Sequence, residues 1–93
     1  MTDMNLTHTP YRYITVTQGV AGGCPRIEGT RIAVHTIIAL LQNGETVDSI
    51  CSDKIYPQLT RAQIYEALSY YEDHRGPIDL LISENFHSEM DKA

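Results

Sequence analysis

The sequence predicts a mainly α fold: a helix-turn-helix-like tri-helical bundle with a short N-terminal β element and a C-terminal amphipathic helix. Three observations predict it. A short capped helical segment, an extended Tyr-Pro link and a longer capped helical segment follow one another between residues 46 and 76. A β-branched and aromatic stretch, YRYITVT at residues 11–17, precedes them with the alternation of a strand. Beyond them, Ile78, Leu81, Ile82 and Phe86 recur at helical spacing.

Each element has a local reason. Residues 1–10 are polar, lack periodicity and end in Pro10, which reads as a mobile arm. After the strand Tyr11–Thr17, Gly19, Gly22, Gly23 and Pro25 punctuate a loop. Arg26–Glu28 reads as a second short strand returning against the first, and Glu28-Gly29-Thr30 as a turn in which Gly29 takes a positive φ. The first helix runs from Val34 to the stop signal Asn43-Gly44, with a wide apolar face of Ile37, Ile38, Leu40 and Leu41. The second runs from Val47 to Asp53 behind a Thr46 cap, and Val47, Ile50 and Cys51 form its stripe. Tyr56-Pro57 forces an extended link. Thr60 with Gln63 three residues on is a capping-box pattern opening the third helix, whose stripe is Ile64, Ala67, Leu68 and Tyr71. Gly76-Pro77 closes it, and a fourth helix spans Pro77 to about Met90. The organisation is an arm (1–10), a helix-turn-helix-like domain with its β element (11–76) and an amphipathic segment (77–93).

Composition narrows the function. With 93 residues, 42% of them apolar and 20% charged, the chain is one ordinary globular domain rather than a disordered protein. Seven Lys and Arg against twelve Asp and Glu leave a formal charge of −5, so a generally basic nucleic-acid coat is excluded. Residues 1–61 balance five cations with five acids; the whole excess lies in residues 62–93. Nucleic-acid contacts therefore belong to the first two thirds, and a basic protein partner to the last.

The longest apolar run, Ile37–Leu41, has five residues and spans no membrane. MTDMNLTHTP has neither the basic nor the apolar region of a signal peptide. Two cysteines, Cys24 and Cys51, without CxxC spacing fit a reducing cytosol, so a cytoplasmic protein is expected. His8, His35, His74 and His87 show no metal-ligand spacing. No nucleophile–base pair or carboxylate dyad is visible, and Cys24 has only Arg26 as a nearby cation. No catalysis, cofactor or metal is expected.

The remaining candidates are binding residues. At the start of the third helix, Thr60, Arg61 and Gln63 are where a recognition helix reads bases, with Tyr65 beside them. Arg26, Arg31 and Lys54 are candidate phosphate contacts. The bland alternative is a solvated helix capped by Thr60 and Gln63. Gly29–Ile32 likewise has two readings. Arg31 meets a phosphate or a partner carboxylate, or the element is structural, with Gly29 turning the chain, Thr30 satisfying backbone and Arg31 tying the strand region to the helices. No Walker or dinucleotide glycine pattern accompanies it. Tyr65, Tyr70 and Tyr71 could stack bases, but the basic groove that stacking needs is missing. Ile78, Leu81, Ile82 and Phe86 form a stripe that docks a basic partner, packs on this chain's own core or meets a second copy. The surrounding residues 77–93 carry a net −3, from Asp79, Glu84, Glu89 and Asp91 against Lys92.

One set of spacings goes further. Gly23, Pro25, Ile27, Gly29, Thr30, Arg31 and Ile32, then Gly44, Tyr56, Pro57, Leu59, Thr60, Ile64, Ala67, Leu68 and Tyr70, follow one pattern. In these residues the chain resembles the prokaryotic family catalogued as domain of unknown function 433, over about residues 13–75. The resemblance implies a helix-turn-helix fold and an antitoxin of VapB type, which sequesters a PIN-like nuclease toxin and binds promoter DNA. Two departures stand out. Cys24 occupies a position that is often Lys, and the third helix carries Glu66, Glu72 and Asp73, which would face phosphates in a groove. A modest core and an unpaired strand at residues 11–17 lead to the further expectation of a homodimer. A stand-alone DNA-binding repressor and an oligomeric interaction module are the alternatives.

Overall fold

The computed structural model describes residues 10–92, with side chains from 10 to 84. The expected arm at residues 1–10 therefore falls, except for Pro10, outside the described residues. The architecture is helical with a minimal β element, as expected. Strand β1 (Ile14–Thr15) pairs antiparallel with β2 (Arg26–Ile27), setting Ile14 opposite Ile27 and Thr15 opposite Arg26. Helices α1 (Val34–Gln42), α2 (Val47–Ile50), α3 (Arg61–Asp73) and α4 (Arg75–Lys92) follow.

The turn after β2 has the structural form of its two readings at Gly29 and Thr30. Gly29 sits at φ +83°, where a side chain is strained. The Thr30 hydroxyl donates to the Ile27 carbonyl at 2.8 Å and accepts from the Ile32 amide at 3.0 Å. α1 has no side-chain cap. Its first amide, on Val34, is satisfied by the Pro25 carbonyl at 2.9 Å, which ties the helix to the β element. Both expected capping residues act as such. Thr46 forms a reciprocal pair with Ser49, and Thr60 one with Gln63.

Two boundaries differ from the sequence expectation. α2 stops at Ile50 instead of Asp53, because the Ser52 hydroxyl takes the Ser49 carbonyl at 2.6 Å and the Tyr56 amide takes that of Ile50 at 2.9 Å. Gly76-Pro77 does not close the third helix. α3 ends at Asp73, His74 breaks the path with φ −139° and ψ 43°, and α4 begins at Arg75. Pro77 is the third residue of α4, where its missing N–H would have had no intrahelical partner.

The core is built from isoleucines. Ile27, Ile37, Ile50, Ile64 and Ile78 are completely buried, joined by Ile14, Val34, Ile38 and Ala67. All three faces of the tri-helical unit, the β element and the first turn of α4 thus share one core. No helix among the described residues is long and apolar enough to cross a membrane.

The edge expected to be free at residues 11–17 is occupied. β1 is paired with β2, the Tyr13 carbonyl accepts the Glu28 amide, and the Arg12 and Tyr13 amides are bound by Glu66. A second copy could pair only along the other edge of β1, away from β2.

His35, on the first turn of α1, has a buried Nδ1 with no hydrogen-bond partner, and burial lowers its pKa from the ordinary 6.5. A depressed folded pKa means that the neutral ring is favoured in the fold. Its contribution is complete above pH about 6.5 and is lost as pH falls through the lower folded value. Urea unfolding should therefore show stability declining below that pH, and His35→Gln should flatten the decline. An unchanged pH slope in the variant would remove His35 from this role.

Candidate interaction surfaces

The six residues expected to contact DNA are placed in four different situations. At the start of α3, Thr60 and Gln63 are engaged with each other. The Gln63 amide donates to Thr60 Oγ1 at 3.2 Å and the Thr60 amide to Gln63 Oε1 at 2.8 Å. Arg61 is exposed but ion-paired to Asp48 of α2. Lys54, on the link between α2 and α3, lies 3.8 Å from Glu45. Both cations are exposed and the pairs individually weak, so each cation can be released at small cost. Arg31 is exposed and has no ion pair among the described residues.

Arg26, the fourth case, is buried. It is 9% exposed and donates to Thr17 Oγ1 at 2.9 Å and to the Thr30 carbonyl at 3.2 Å. It is Arg26, not Arg31, that ties the β element to the following turn. It stands opposite Thr15 in the two-stranded ladder, and its bond to Thr17 holds it against the loop after β1.

The acidic side of α3 also acts differently from the expectation. Glu66 grips the chain before β1, accepting the Arg12 amide at 2.5 Å and the Tyr13 amide at 2.6 Å. Asp73 accepts the Tyr11 hydroxyl. That bond is the main reason the Tyr11 phenol is pushed up to about 12. The Tyr11 ring lies against Tyr70, with centroids 4.9 Å apart, and Tyr70 stacks on His74 at 4.0 Å. These residues hold the N-terminal segment along α3. The sequence offered no local signal for them, since Glu66 lies 53 and 54 positions from the amides it binds. Tyr70 is therefore half-buried against its neighbours, Tyr71 is buried with its hydroxyl donating to Asp79 at 2.7 Å, and Tyr65 is exposed.

Of the residues assigned to a protein partner, Ile78 belongs to this chain's own core, completely buried. Leu81 and Ile82 pack against that core from a half-buried position. The Phe86 side chain lies outside the described residues. Leu80, which the stripe did not include, is 59% exposed. It stands beside exposed Asp79 and on the same helix as exposed Glu84, while Glu72 at the end of α3 is exposed too. Among the described residues no cluster of three or more His, Cys, Asp or Glu side chains could hold a metal ion.

Comparison with known proteins agrees with the fold. The family described as Protein of unknown function (DUF433) matches residues 14–71. A crystal structure of a DUF433 member protein from Anabaena variabilis ATCC 29413 is similar, with a TM-score of 0.72 and 38% identity. The match covers 76% of this chain and 68% of that one. No curated protein matches significantly.

Proposed function

Because the chain belongs to the DUF433 family, we propose that it is an antitoxin-type binding protein of the VapB kind, which captures a basic partner with a PIN-like nuclease fold. The observation that carries this reading is the exposed Leu80 of α4 with exposed acids beside it. In the first two thirds, Arg61 and Lys54 are paired with carboxylates and Arg26 is buried. On α4, exposed Leu80 follows exposed Asp79, which accepts the Tyr71 hydroxyl, and exposed Glu84 lies one turn on; Glu72 at the end of α3 is exposed and pairs weakly with Arg75. An apolar anchor rimmed by acids suits a basic protein surface better than a nucleic acid. Catalysis and any metal belong to the partner, and a dimer of the antitoxin is part of this reading.

Co-expression with the product of the adjacent gene tests it. The neighbour should be a small nuclease that co-purifies, and Leu80→Arg should abolish capture while leaving the melting temperature unchanged. A neighbour of another kind, or undiminished capture by Leu80→Arg, overturns the proposal.

Promoter binding is a second reading, favoured by the unpaired, exposed Arg31 and by Arg61 at the start of α3. With Arg31, Lys54 and Arg61 as the phosphate contacts, few counterions are released. The log–log salt slope should be about −2 to −4 per protomer. Arg61→Ala should cost about 1–3 kcal/mol if this residue reads a base. A mobility shift retained in full by the triple alanine variant would remove these residues from any DNA contact.

A further inference from the structure

Arg26 is a buried cation without a counter-ion. Only 9% of the residue is exposed, and among the described residues no carboxylate forms an ion pair with it. Its two hydrogen-bond acceptors, Thr17 Oγ1 and the Thr30 carbonyl, are neutral. Nε, which carries a hydrogen on the edge that meets oxyanions side-on, has no acceptor at all. A charged group taken out of water normally has its charge matched and its donors satisfied, so this arrangement lacks an anion.

The two residues that hold the guanidinium lie nearer the surface than it does. Thr17 is exposed and Thr30 is half-buried. Arg31 follows Thr30 directly, is exposed and has no ion pair among the described residues. A second guanidinium thus starts one peptide unit from the carbonyl that holds the first. Glu28, exposed on the same turn, hydrogen-bonds to neither arginine through its side chain.

We propose that Arg26 and Arg31 form a site for one small tetrahedral oxyanion of the phosphate class, held beneath the loop after β1 and beside the turn after β2. Arg26 supplies the preorganised, desolvated charge, and Arg31 closes over the ligand from solvent. The depth of Arg26 favours a free phosphate or a small phosphate ester over the backbone of a duplex, whose phosphates cannot leave their strand to reach a residue so covered. The site is independent of capture of a nuclease partner.

Isotope-labelled full-length protein titrated with sodium phosphate, against sodium chloride at matched ionic strength, tests the assignment by amide chemical shifts. The expected result is saturable shifts at Thr17, Ile27, Thr30 and Arg31 that chloride does not produce. Arg26→Gln and Arg31→Gln should each weaken phosphate binding about tenfold or more, and Lys54→Gln should not. Should Arg26→Gln fail to fold, surface variants carry the test. Arg31→Gln weakens binding, and Glu28→Gln, which removes a carboxylate of the same turn, strengthens it. No saturable phosphate shift, or shifts centred on Lys54 and Arg61, overturns the site. A short DNA duplex that shifts the same amides at lower concentration than phosphate overturns the choice of a small ligand.

Discussion

Deletion of residues 77–93 is expected to unfold the domain, and Ile78→Ala alone to cost about 2–5 kcal/mol, read by urea or guanidinium denaturation. Ile78 is completely buried in the cluster that also contains Ile37 and Ile64. Full burial of such a side chain contributes about 1.5–3 kcal/mol, and the cavity left by truncation adds to the loss. Leu81 and Ile82, packed on the same cluster, contribute further. For a small domain the sum approaches its whole stability. The outcome separates two roles of α4 that its sequence alone leaves mixed. Its first turn is core, and substitutions there should lower stability and capture together. Leu80, exposed, should affect capture alone. A truncated chain that kept its melting temperature would show that Ile78 is dispensable and would return the whole stripe to the partner.

What the sequence disclosed and what it concealed divide by the range of the interaction. The pairs Thr60–Gln63 and Thr46–Ser49 are three residues apart, and the caps at Thr60 and Thr46 were both legible. Gly29 was legible because a single turn demanded a positive φ. The β element was legible from β-branching, although its ladder is only two residues long on each strand. Gly76-Pro77 misled because Gly and Pro mark helix starts as well as stops, and the break set by His74 has no comparable signature. Arg26 misled because a cation next to a glycine loop reads as a surface contact. Only its ladder partner, Thr15, and the acceptor Thr17 reveal that it is enclosed. The family pattern was legible through fixed spacings, yet those spacings serve the fold. Thr30, Thr60, Ile64 and Ala67 all act in turns, caps or core.

Glu66 is the sharpest case, and its replacement carries the last prediction. On sequence it is an acid on the flank of a candidate recognition helix, an obstacle to phosphates. In the fold it is the receptor for the chain that leads into β1, each carboxylate oxygen accepting one backbone amide. Hydrogen bonds to an ionised acceptor contribute about 1.5–3 kcal/mol each, less where water competes. The Arg12 amide is exposed and the Tyr13 amide partly buried, so Glu66→Ala should cost about 2–3 kcal/mol. Glu66→Gln, which keeps one good acceptor, should cost about half as much. Ile14, buried one residue beyond this grip, would still anchor β1, so the loss should be local. Amide hydrogen exchange should show Arg12 and Tyr13 losing protection while Ile37 and Ile64 keep theirs. Unaltered exchange at Arg12 and Tyr13 in Glu66→Ala would show that the grip contributes nothing in solution. If the grip is as strong as its geometry indicates, residues 11–13 lie permanently along the Glu66, Tyr70 and Asp73 flank of α3. The first turn of that helix and its face of exposed Ala62, Tyr65 and Ser69 then remain open to a nucleic acid. A DNA affinity that rises in Glu66→Ala would mark the strap as a cover over the rest.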